Sequence, residues 1–183
     1  MQCKVSHDSN VPYTIAWYFG TKKLESRIGG RVQILNDNTL QIRQARNTDV
    51  GLYTCEVISP GGNETRSAKL NVIELPHPPA NVKVDLLNTL PKTVNISWSN
   101  GFDGNSPITN YIVQKRTVPS SDGYVESLIP WVTAKTNISG TQRYAILSNL
   151  KPASSYQFRM SAVNGVGEGN PSKETEVITL PPE

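Results

Sequence analysis

Hydrophobic and polar residues alternate with a period of two along most of this 183-residue chain. Alternation of this kind predicts β-strands that bury one face against a core and leave the other face to solvent. The alternating stretches are residues 1–5, 15–19, 32–34, 40–42, 53–57 and 68–72 in the first half, and 82–84, 94–98, 111–113, 144–147 and 156–162 in the second, with a further strand beginning at Trp131. Thirteen prolines and thirteen glycines fit the many turns that such strands need. The chain is therefore predicted to be all-β.

A proline-rich stretch divides the predicted strands into two groups. Residues 74–79 read Glu-Leu-Pro-His-Pro-Pro, and three prolines in four positions hold the backbone extended. We therefore predict two tandem β-sandwiches, at residues 1–73 and 80–180, connected by a semi-rigid joint at 74–79. Residues 181–183 are expected to begin a linker to a further repeat.

Four residues of the first domain stand at a characteristic spacing. Cys3 is followed by Trp17, and Tyr53 comes two positions before Cys55 in the sequence Asp-Val-Gly-Leu-Tyr-Thr-Cys. This pattern resembles the immunoglobulin sandwich, in which two cysteines bridge opposite sheets, a tryptophan packs on the bridge and the tyrosine hydroxyl bonds to backbone. The resemblance implies a Cys3–Cys55 disulfide, whose loop closure contributes about 4 kcal/mol.

Within this class the first domain is similar to I-set immunoglobulin domains. The resemblance implies an ion pair between Arg31, at the start of a strand, and Asp49, in the corner that precedes Tyr53. A partly buried pair of this kind costs several kcal/mol to break from one side, so its role is stability. Met1, Cys3 and Val5 read as the inward face of the second strand, so strand A is expected to be missing. We interpret the chain as a piece of a longer protein.

The second domain has no cysteine, and aromatic residues take the place of the bridge. Trp98 stands in an early strand, Leu150 precedes Tyr156 by six positions, and a run of alternating glycines follows at residues 164–169. Together these features resemble a fibronectin type III domain. Trp98 and Tyr156 are then expected to fill the space between the sheets, each burying about 150–250 Å². The glycine run is expected to form a hairpin turn, because a phosphate-binding loop needs a following helix.

Charge is low and evenly spread, with a net value of +3. No basic tail or stripe is present, so nucleic acid is not expected as a partner. The densest basic group is Lys22, Lys23, Arg27 and Arg31, which we interpret as a solvated sheet face, with a heparin-like polyanion site as the alternative. No stretch has the ~20 apolar residues of a membrane span, and no signal-peptide core opens the chain.

The two cysteines bear on the compartment. A bridged pair indicates an oxidising, extracellular setting. The open alternative is a cytosolic muscle immunoglobulin domain, which keeps such thiols reduced. Sequons at Asn63, Asn95 and Asn137 are possible N-glycosylation sites. They do not decide the compartment, because the asparagine, serine and threonine content predicts about three sequons by chance.

No combination of residues predicts catalysis or metal binding. His7 and His77 lie in a loop and in the proline-rich joint, and neither has the cluster of ligands that a metal needs. Glu174 and Glu176 are expected on one solvent-facing strand surface, away from the enclosed pocket that acid–base catalysis requires. Both cysteines are assigned to the bridge. We therefore expect no enzyme activity, no cofactor and no small-molecule substrate.

Two loops of the second domain are expected to face the first domain across the joint. They comprise residues 100–107 and residues 164–171, and residues 45–49 of the first domain are expected opposite them. Contacts there would limit the bend between the domains. Ligand binding by the same loops is the weaker alternative.

Several stretches narrow the family. The stretches Leu-Pro-His-Pro-Pro at 75–79, Phe-Asp-Gly-Asn-Ser-Pro at 102–107, Ser-Tyr-Gln-Phe-Arg at 155–159 and Lys-Glu-Thr-Glu-Val-Ile-Thr-Leu-Pro at 173–181 resemble sidekick proteins, at the junction of their last immunoglobulin and first fibronectin type III domains. The resemblance implies a single-pass, membrane-anchored parent protein for homophilic cell–cell adhesion, acting on the extracellular side of the plasma membrane at cell junctions. Its homophilic partners would bind through domains outside this chain. The segment itself is then expected to be a semi-rigid spacer. A muscle scaffold module and a receptor segment for a heterophilic ligand are the alternatives.

Overall fold

The computed structural model describes residues 1–5, 11–119 and 129–183. The chain divides into two compact units, residues 1–72 and residues 73–183. Apart from one short 3-10 helix at Asn47–Asp49, the regular elements of the described residues are β-strands, which confirms the all-β prediction. The proline-rich stretch at 74–79 lies wholly within the second unit.

The first unit has six strands among its described residues. They form a four-stranded antiparallel sheet in the order β2-β1-β5-β6 and a two-stranded sheet of β3 and β4. Trp17, Tyr53 and Cys55 from the larger sheet and Leu40 from the smaller one form the buried core. The strands are β1 (Thr14–Phe19), β2 (Lys22–Lys23), β3 (Val32–Ile34), β4 (Leu40–Ile42), β5 (Gly51–Ser59) and β6 (Gly62–Leu70).

The predicted strand at residues 1–5 is not a regular strand. The amino group of Met1 donates to the backbone oxygen of Leu40 over 2.6 Å, and the backbone nitrogen of Leu40 donates to the oxygen of Met1 over 2.8 Å. Beyond this exchange, no strand ladder extends through residues 2–5. Met1, Cys3 and Val5 are nevertheless half-buried while their neighbours are exposed, so the predicted alternation is present without the regular pairing.

The second unit has seven strands in its described part. They form a sheet in the order β10-β9-β12-β13 and a sheet in the order β11-β8-β7. Between the sheets lies a larger core that includes Trp98, Tyr111, Tyr156, Phe158 and Met160. The strands are β7 (Ala80–Leu86), β8 (Val94–Ser99), β9 (Asn110–Thr117), β10 (Val132–Ser139), β11 (Tyr144–Leu147), β12 (Ser155–Val163) and β13 (Ile178–Thr179).

The segment that follows the glycine run differs from the regular alternating strand expected there. The backbone nitrogens of Met160 and Phe158, on β12, donate to the side-chain hydroxyls of Ser172 and Thr175, each over 3.0 Å. The backbone nitrogens of Ser172 and Thr175 donate back to the backbone oxygens of Met160 and Phe158. Hydroxyl groups therefore replace part of the backbone ladder, and Pro171 adds no donor of its own. Regular pairing resumes only at β13, so the prediction that residues 174 and 176 lie on a strand is wrong, although both side chains are exposed as expected.

Candidate functional site

A disulfide joins the two cysteines of the first unit. The Sγ atoms of Cys3 and Cys55 are 2.00 Å apart and the Cα atoms 6.0 Å apart. Trp17 lies directly opposite Cys55 in the pairing of β1 with β5, and both side chains are buried. The indole nitrogen of Trp17 donates to the backbone oxygen of Asn38 over 2.8 Å. The bridge and the tryptophan thus share one core, with the polar atom of the indole paired.

Asp49 is the centre of a hydrogen-bonded corner before β5. Its Oδ2 and Oδ1 atoms accept from the guanidinium of Arg31 at 2.9 and 3.2 Å, and Oδ2 also accepts from the backbone nitrogen of Arg46 at 2.7 Å. The Tyr53 hydroxyl donates to the backbone oxygen of Asp49 over 2.6 Å. The Arg31 hydrogen bonds lower the pKa of Asp49, and burial raises the pKa of Tyr53. The corner therefore holds an ionised carboxylate and a neutral phenol, an arrangement suited to stability.

The second unit also has a tyrosine corner. The Tyr156 hydroxyl accepts from the backbone nitrogen of Lys151 over 3.0 Å. Trp98 and Tyr111 pack with ring centroids 5.1 Å apart, and Trp98 is 5% exposed. The indole nitrogen of Trp98 is buried and finds no acceptor in the part of the chain that the structure describes. Aromatic packing therefore takes the place that the disulfide and its tryptophan have in the first unit.

The proline-rich stretch is bound to the second unit through backbone hydrogen bonds. We call residues 74–78 the strap. The backbone nitrogens of Glu74 and His77 donate to the backbone oxygens of Gly104 and Phe102 over 2.9 and 2.8 Å. The imidazole of His77 also contacts the Phe102 ring edge-on, with centroids 5.2 Å apart. The strap is thus part of this unit, whereas the sequence predicted a separate joint.

Three glycines make room for the strap. A Cβ atom added to Gly101, Gly104 or Gly169 would overlap the backbone oxygen of Pro78, Glu74 or Pro76, respectively. Gly104 additionally has φ +73°, which disfavours other residues. These glycines lie in the two loops that were predicted to face the first domain across the joint, but the sequence predicted no contact between them and the strap.

Asn164 connects the strap to both loops. Its Nδ2 atom donates to the backbone oxygens of Glu74 and Asp103 over 2.7 and 2.9 Å. Its Oδ1 atom accepts from the backbone nitrogens of Val166 and Gly167. One amide that is 4% exposed therefore satisfies four backbone groups. Sequence reasoning placed Asn164 only in a turn. Contact of these loops with residues 45–49 stays a prediction.

An arginine–tryptophan stack lies on the sheet of β9, β10 and β12. The guanidinium carbons of Arg116 and Arg159 each lie 4.5 Å from the ring centroid of Trp131. Two glutamines orient the arginines, since Gln157 accepts from Arg116 and Gln114 accepts from Arg159. Burial and the charge of Arg116 lower the pKa of Arg159. Sequence reasoning identified Trp131 only as the start of a strand.

The three sequons differ in their surroundings. Asn63 is exposed near the start of β6, and its Nδ2 atom donates to the carboxylate of Glu56 over 3.1 Å. Asn137 is exposed on β10 with φ +56°. Asn95 is half-buried in the central strand β8, between Asp85 and Ile146 on the neighbouring strands. A glycan is therefore accommodated more easily at Asn63 and Asn137 than at Asn95.

The two histidines of the chain are the residues that were weighed as metal ligands. His7 lies outside the described residues, and His77 is engaged with the loop at Phe102. In the described ranges, no group of three or more histidine, cysteine or acidic side chains is placed to hold a metal ion. No helix in those same ranges has the length and apolar character needed to cross a membrane.

Comparison with domain families agrees with this architecture. A model of the immunoglobulin I-set domain matches residues 1–72, and a model of the fibronectin type III domain matches residues 77–178. The predicted order of the two domain types is therefore confirmed. Both are non-enzymatic structural domains, so the chain is not an enzyme.

A solved structure supports the same fold. The crystal structure of domains A168–A170 from titin matches 92% of this chain, and 55% of that chain is covered. The TM-score is 0.57 and the sequence identity 25%.

Relatives of known name match along the whole chain. Protein sidekick of Drosophila melanogaster is 49% identical over 189 residues, which span 100% of this chain and 8% of the relative. Sidekick-1 of Gallus gallus is 38% identical over 183 residues, with the same two coverages. The chain thus spans only about 8% of the length of these relatives. Through its second domain the chain belongs to the fibronectin type III family, and over its full length it is similar to sidekick proteins.

Proposed function

We propose that this segment is a semi-rigid spacer within an extracellular receptor for homophilic cell–cell adhesion. The observation that carries the proposal is the binding of the strap to the second unit by Asn164 and by the backbone of Gly104 and Phe102. Strand β6 ends at Leu70, so only residues 71–73 separate it from the strap. A connection this short restricts bending far more than a long flexible linker does.

The adhesive contacts belong, on this proposal, to domains outside the chain. Relatives of the sidekick type are about twelve times longer than this segment, which leaves ample sequence for adhesive domains elsewhere. In the parent protein we place the segment at the last immunoglobulin and first fibronectin type III domains. The parent protein is then anchored in the plasma membrane and acts at cell junctions.

The spacer proposal is tested by the distribution of distances between the two units. Spin labels at exposed sites, Thr65 in the first unit and Thr133 in the second, give this distribution by pulsed electron resonance. We expect a narrow distribution for the native chain and a broad one when residues 73–77 are replaced by a glycine–serine sequence of equal length. Equally broad distributions in both chains would overturn the proposal.

The position of the adhesive site is tested separately. Beads that carry this segment alone are expected to stay dispersed, whereas beads that carry the complete extracellular region should aggregate. Aggregation by the segment alone would show that it contains an adhesive surface. The bead assay and the distance measurement fail independently, so each part of the proposal has its own test.

The titin similarity makes an intracellular muscle scaffold the second candidate. The identity to titin is 25%, against 49% to a sidekick protein, which favours the extracellular proposal. On that proposal, secreted material carries a closed Cys3–Cys55 bridge and glycans at Asn63 and Asn137. Mass spectrometry of secreted protein, with and without reduction, tests this. Free thiols and unmodified asparagines would favour the scaffold.

A further inference from the structure

We propose that the first unit binds a sulfated polysaccharide in a basic groove. The groove has a volume of about 420 Å³ and is lined by residues 22–25, 27 and 30–32. This proposal gives the spacer segment a ligand. It depends on the proposed function in one respect, because sulfated polysaccharides occur outside the cell. The three cations that define it are Lys22, Lys23 and Arg27.

The charges of the groove are not compensated locally. Lys22, Lys23 and Arg27 are exposed, and none of them forms an ion pair with a residue that the structure describes. Arg31 is different, because its guanidinium is engaged by Asp49 and by the backbone oxygens of residues 43 and 44. Glu25 is the one acidic residue of the lining. Residues 20–48 contain six basic and two acidic residues, so the surrounding surface adds to the positive potential.

The backbone from Lys22 to Gly30, which includes the three cations, is fixed by hydrogen bonds to neighbouring segments and within its own turn. Strand β2 pairs with β1, and the backbone nitrogen of Leu24 then donates to the oxygen of Trp17 over 2.8 Å. The Ser26 hydroxyl accepts from the backbone nitrogen of Ile34, and the backbone nitrogen of Gly30 closes a turn onto the oxygen of Arg27. A ligand therefore meets cations whose backbone is already ordered, which lowers the entropic cost of binding.

The shape and chemistry of the groove favour a sulfated chain over a small molecule. The three cations of the groove are exposed to solvent, and their ammonium and guanidinium groups pair with sulfate through charge-assisted hydrogen bonds. Lys22 and Lys23 follow each other on the edge strand β2, Arg27 stands in the turn that follows, and all three line the groove. A linear polysaccharide with repeated sulfate groups meets several of these cations at once, while a single small anion would contact one or two of them.

Ile28 provides a way to separate this proposal from a protein partner. Its side chain is fully exposed at the tip of the Arg27–Gly30 turn. An exposed apolar side chain gains free energy when a protein partner covers it, because burial removes its apolar surface from water. Sulfate recognition by the neighbouring cations does not need it, so Ile28→Ser is expected to leave polysaccharide binding unchanged.

The test measures binding of the complete 183-residue chain to immobilised heparin at about 0.15 M salt. The triple variant Lys22→Gln, Lys23→Gln, Arg27→Gln is compared with the matched variant Arg66→Gln, Lys69→Gln, Lys151→Gln, which removes the same charge from exposed sites elsewhere. We expect the first variant to lose about tenfold or more in affinity and the second less than about threefold. Equal melting temperatures would establish that both variants remain folded.

Several outcomes would overturn the proposal. Absence of binding by the native chain is one, and equal losses in the two variants are another, since they would indicate unspecific charge attraction. Binding that persists on desulfated heparin, or that is displaced as well by a DNA oligonucleotide, would also exclude specific sulfate recognition. Loss of heparin binding in Ile28→Ser would show that an apolar contact, and not sulfate recognition by the cations, is responsible for the binding. None of these outcomes affects the distance or bead measurements of the spacer.

Discussion

The side chain of Asn164 donates a hydrogen bond to the backbone oxygen of Glu74 over 2.7 Å, across 90 residues of sequence. The same amide nitrogen reaches Asp103 in the other loop of the second unit. A single side chain therefore connects the strap, which enters the fibronectin domain, to both loops at that end. The stiffness that we propose for the spacer depends on this contact.

Replacement of Asn164 by alanine is expected to lower the free energy of unfolding of the second unit by about 2–4 kcal/mol. The reason is that up to four buried backbone groups lose a partner at once, and an unsatisfied buried group costs about 1–3 kcal/mol. Urea denaturation of the complete chain measures the effect. Asn88→Ala, at an exposed position, serves as the control and is expected to change the free energy by less than about 0.5 kcal/mol. Similar losses in both variants would contradict the role of Asn164.

Gly104→Ala is expected to release the strap. The added Cβ atom would overlap the backbone oxygen of Glu74, and the positive φ angle adds about 1 kcal/mol of strain. Hydrogen exchange at the backbone amides of Glu74 and His77 should therefore become much faster. Gly20→Ala is a matched control, because Gly20 has φ +60° with nothing within 4 Å of an added Cβ atom. The Gly20→Ala variant is expected to have the backbone strain alone and to leave hydrogen exchange in the strap unchanged. Unchanged exchange in Gly104→Ala would show that the space between Gly104 and the strap tolerates a side chain.

The sandwich cores were predictable from the sequence because burial on a strand follows a local rule. Alternation by two placed Trp17, Tyr53, Trp98 and Tyr156 on inward faces, and the structure buries all four. The strap was not predictable in the same way. Its contacts join residues far apart in sequence, and proline composition alone indicates a stiff connector whether or not it is bound. The Arg31–Asp49 pair was expected from the resemblance to I-set domains, whereas the groove beside the basic residues 22–31 depends on the fold.

The irregular backbone pairing in two segments was also not predictable from the sequence. The alternation of residues 1–5 is real, yet only Met1 exchanges hydrogen bonds with β4. Beside β12, the hydroxyls of Ser172 and Thr175 accept backbone hydrogen bonds that a regular strand would take up itself. Hydroxyl side chains compete with backbone acceptors in this way, and a period-two pattern does not register the competition.

Removal of the disulfide is expected to destabilise the first unit alone. The double variant Cys3→Ala, Cys55→Ala should lower its free energy of unfolding by about 4 kcal/mol, because the bridge closes a long loop in the unfolded chain. The second unit contains no cysteine and is expected to keep its stability. Hydrogen exchange resolved by peptide, measured on the complete chain in denaturant, reports the two units separately. Equal loss of protection in both units would show that they unfold together and would contradict the prediction.

The Arg31–Asp49 pair is expected to make the first unit sensitive to acid. In the folded state the pKa of Asp49 lies below the ordinary value, because its carboxylate accepts hydrogen bonds from Arg31. A depressed folded pKa stabilises the native state above the unfolded pKa, and this stabilisation is lost as the pH falls through the folded pKa. Stability should therefore be constant near neutral pH and decline as the pH falls through about 4, where an unfolded aspartate is about half protonated. Urea denaturation between pH 7 and pH 2, followed at the buried Trp17, measures this profile.

Asp49→Asn is expected to flatten the acid-dependent part of that profile and to cost about 1–3 kcal/mol at neutral pH, since Arg31 then lacks its charged partner. Asp37 is the appropriate control, because hydrogen bonds from Thr39 also lower its pKa although it is fully exposed and has no ion pair with a described residue. Asp37→Asn should therefore keep most of the acid dependence. If Asp37→Asn flattens the profile as much as Asp49→Asn does, the acid sensitivity does not come from the ion pair.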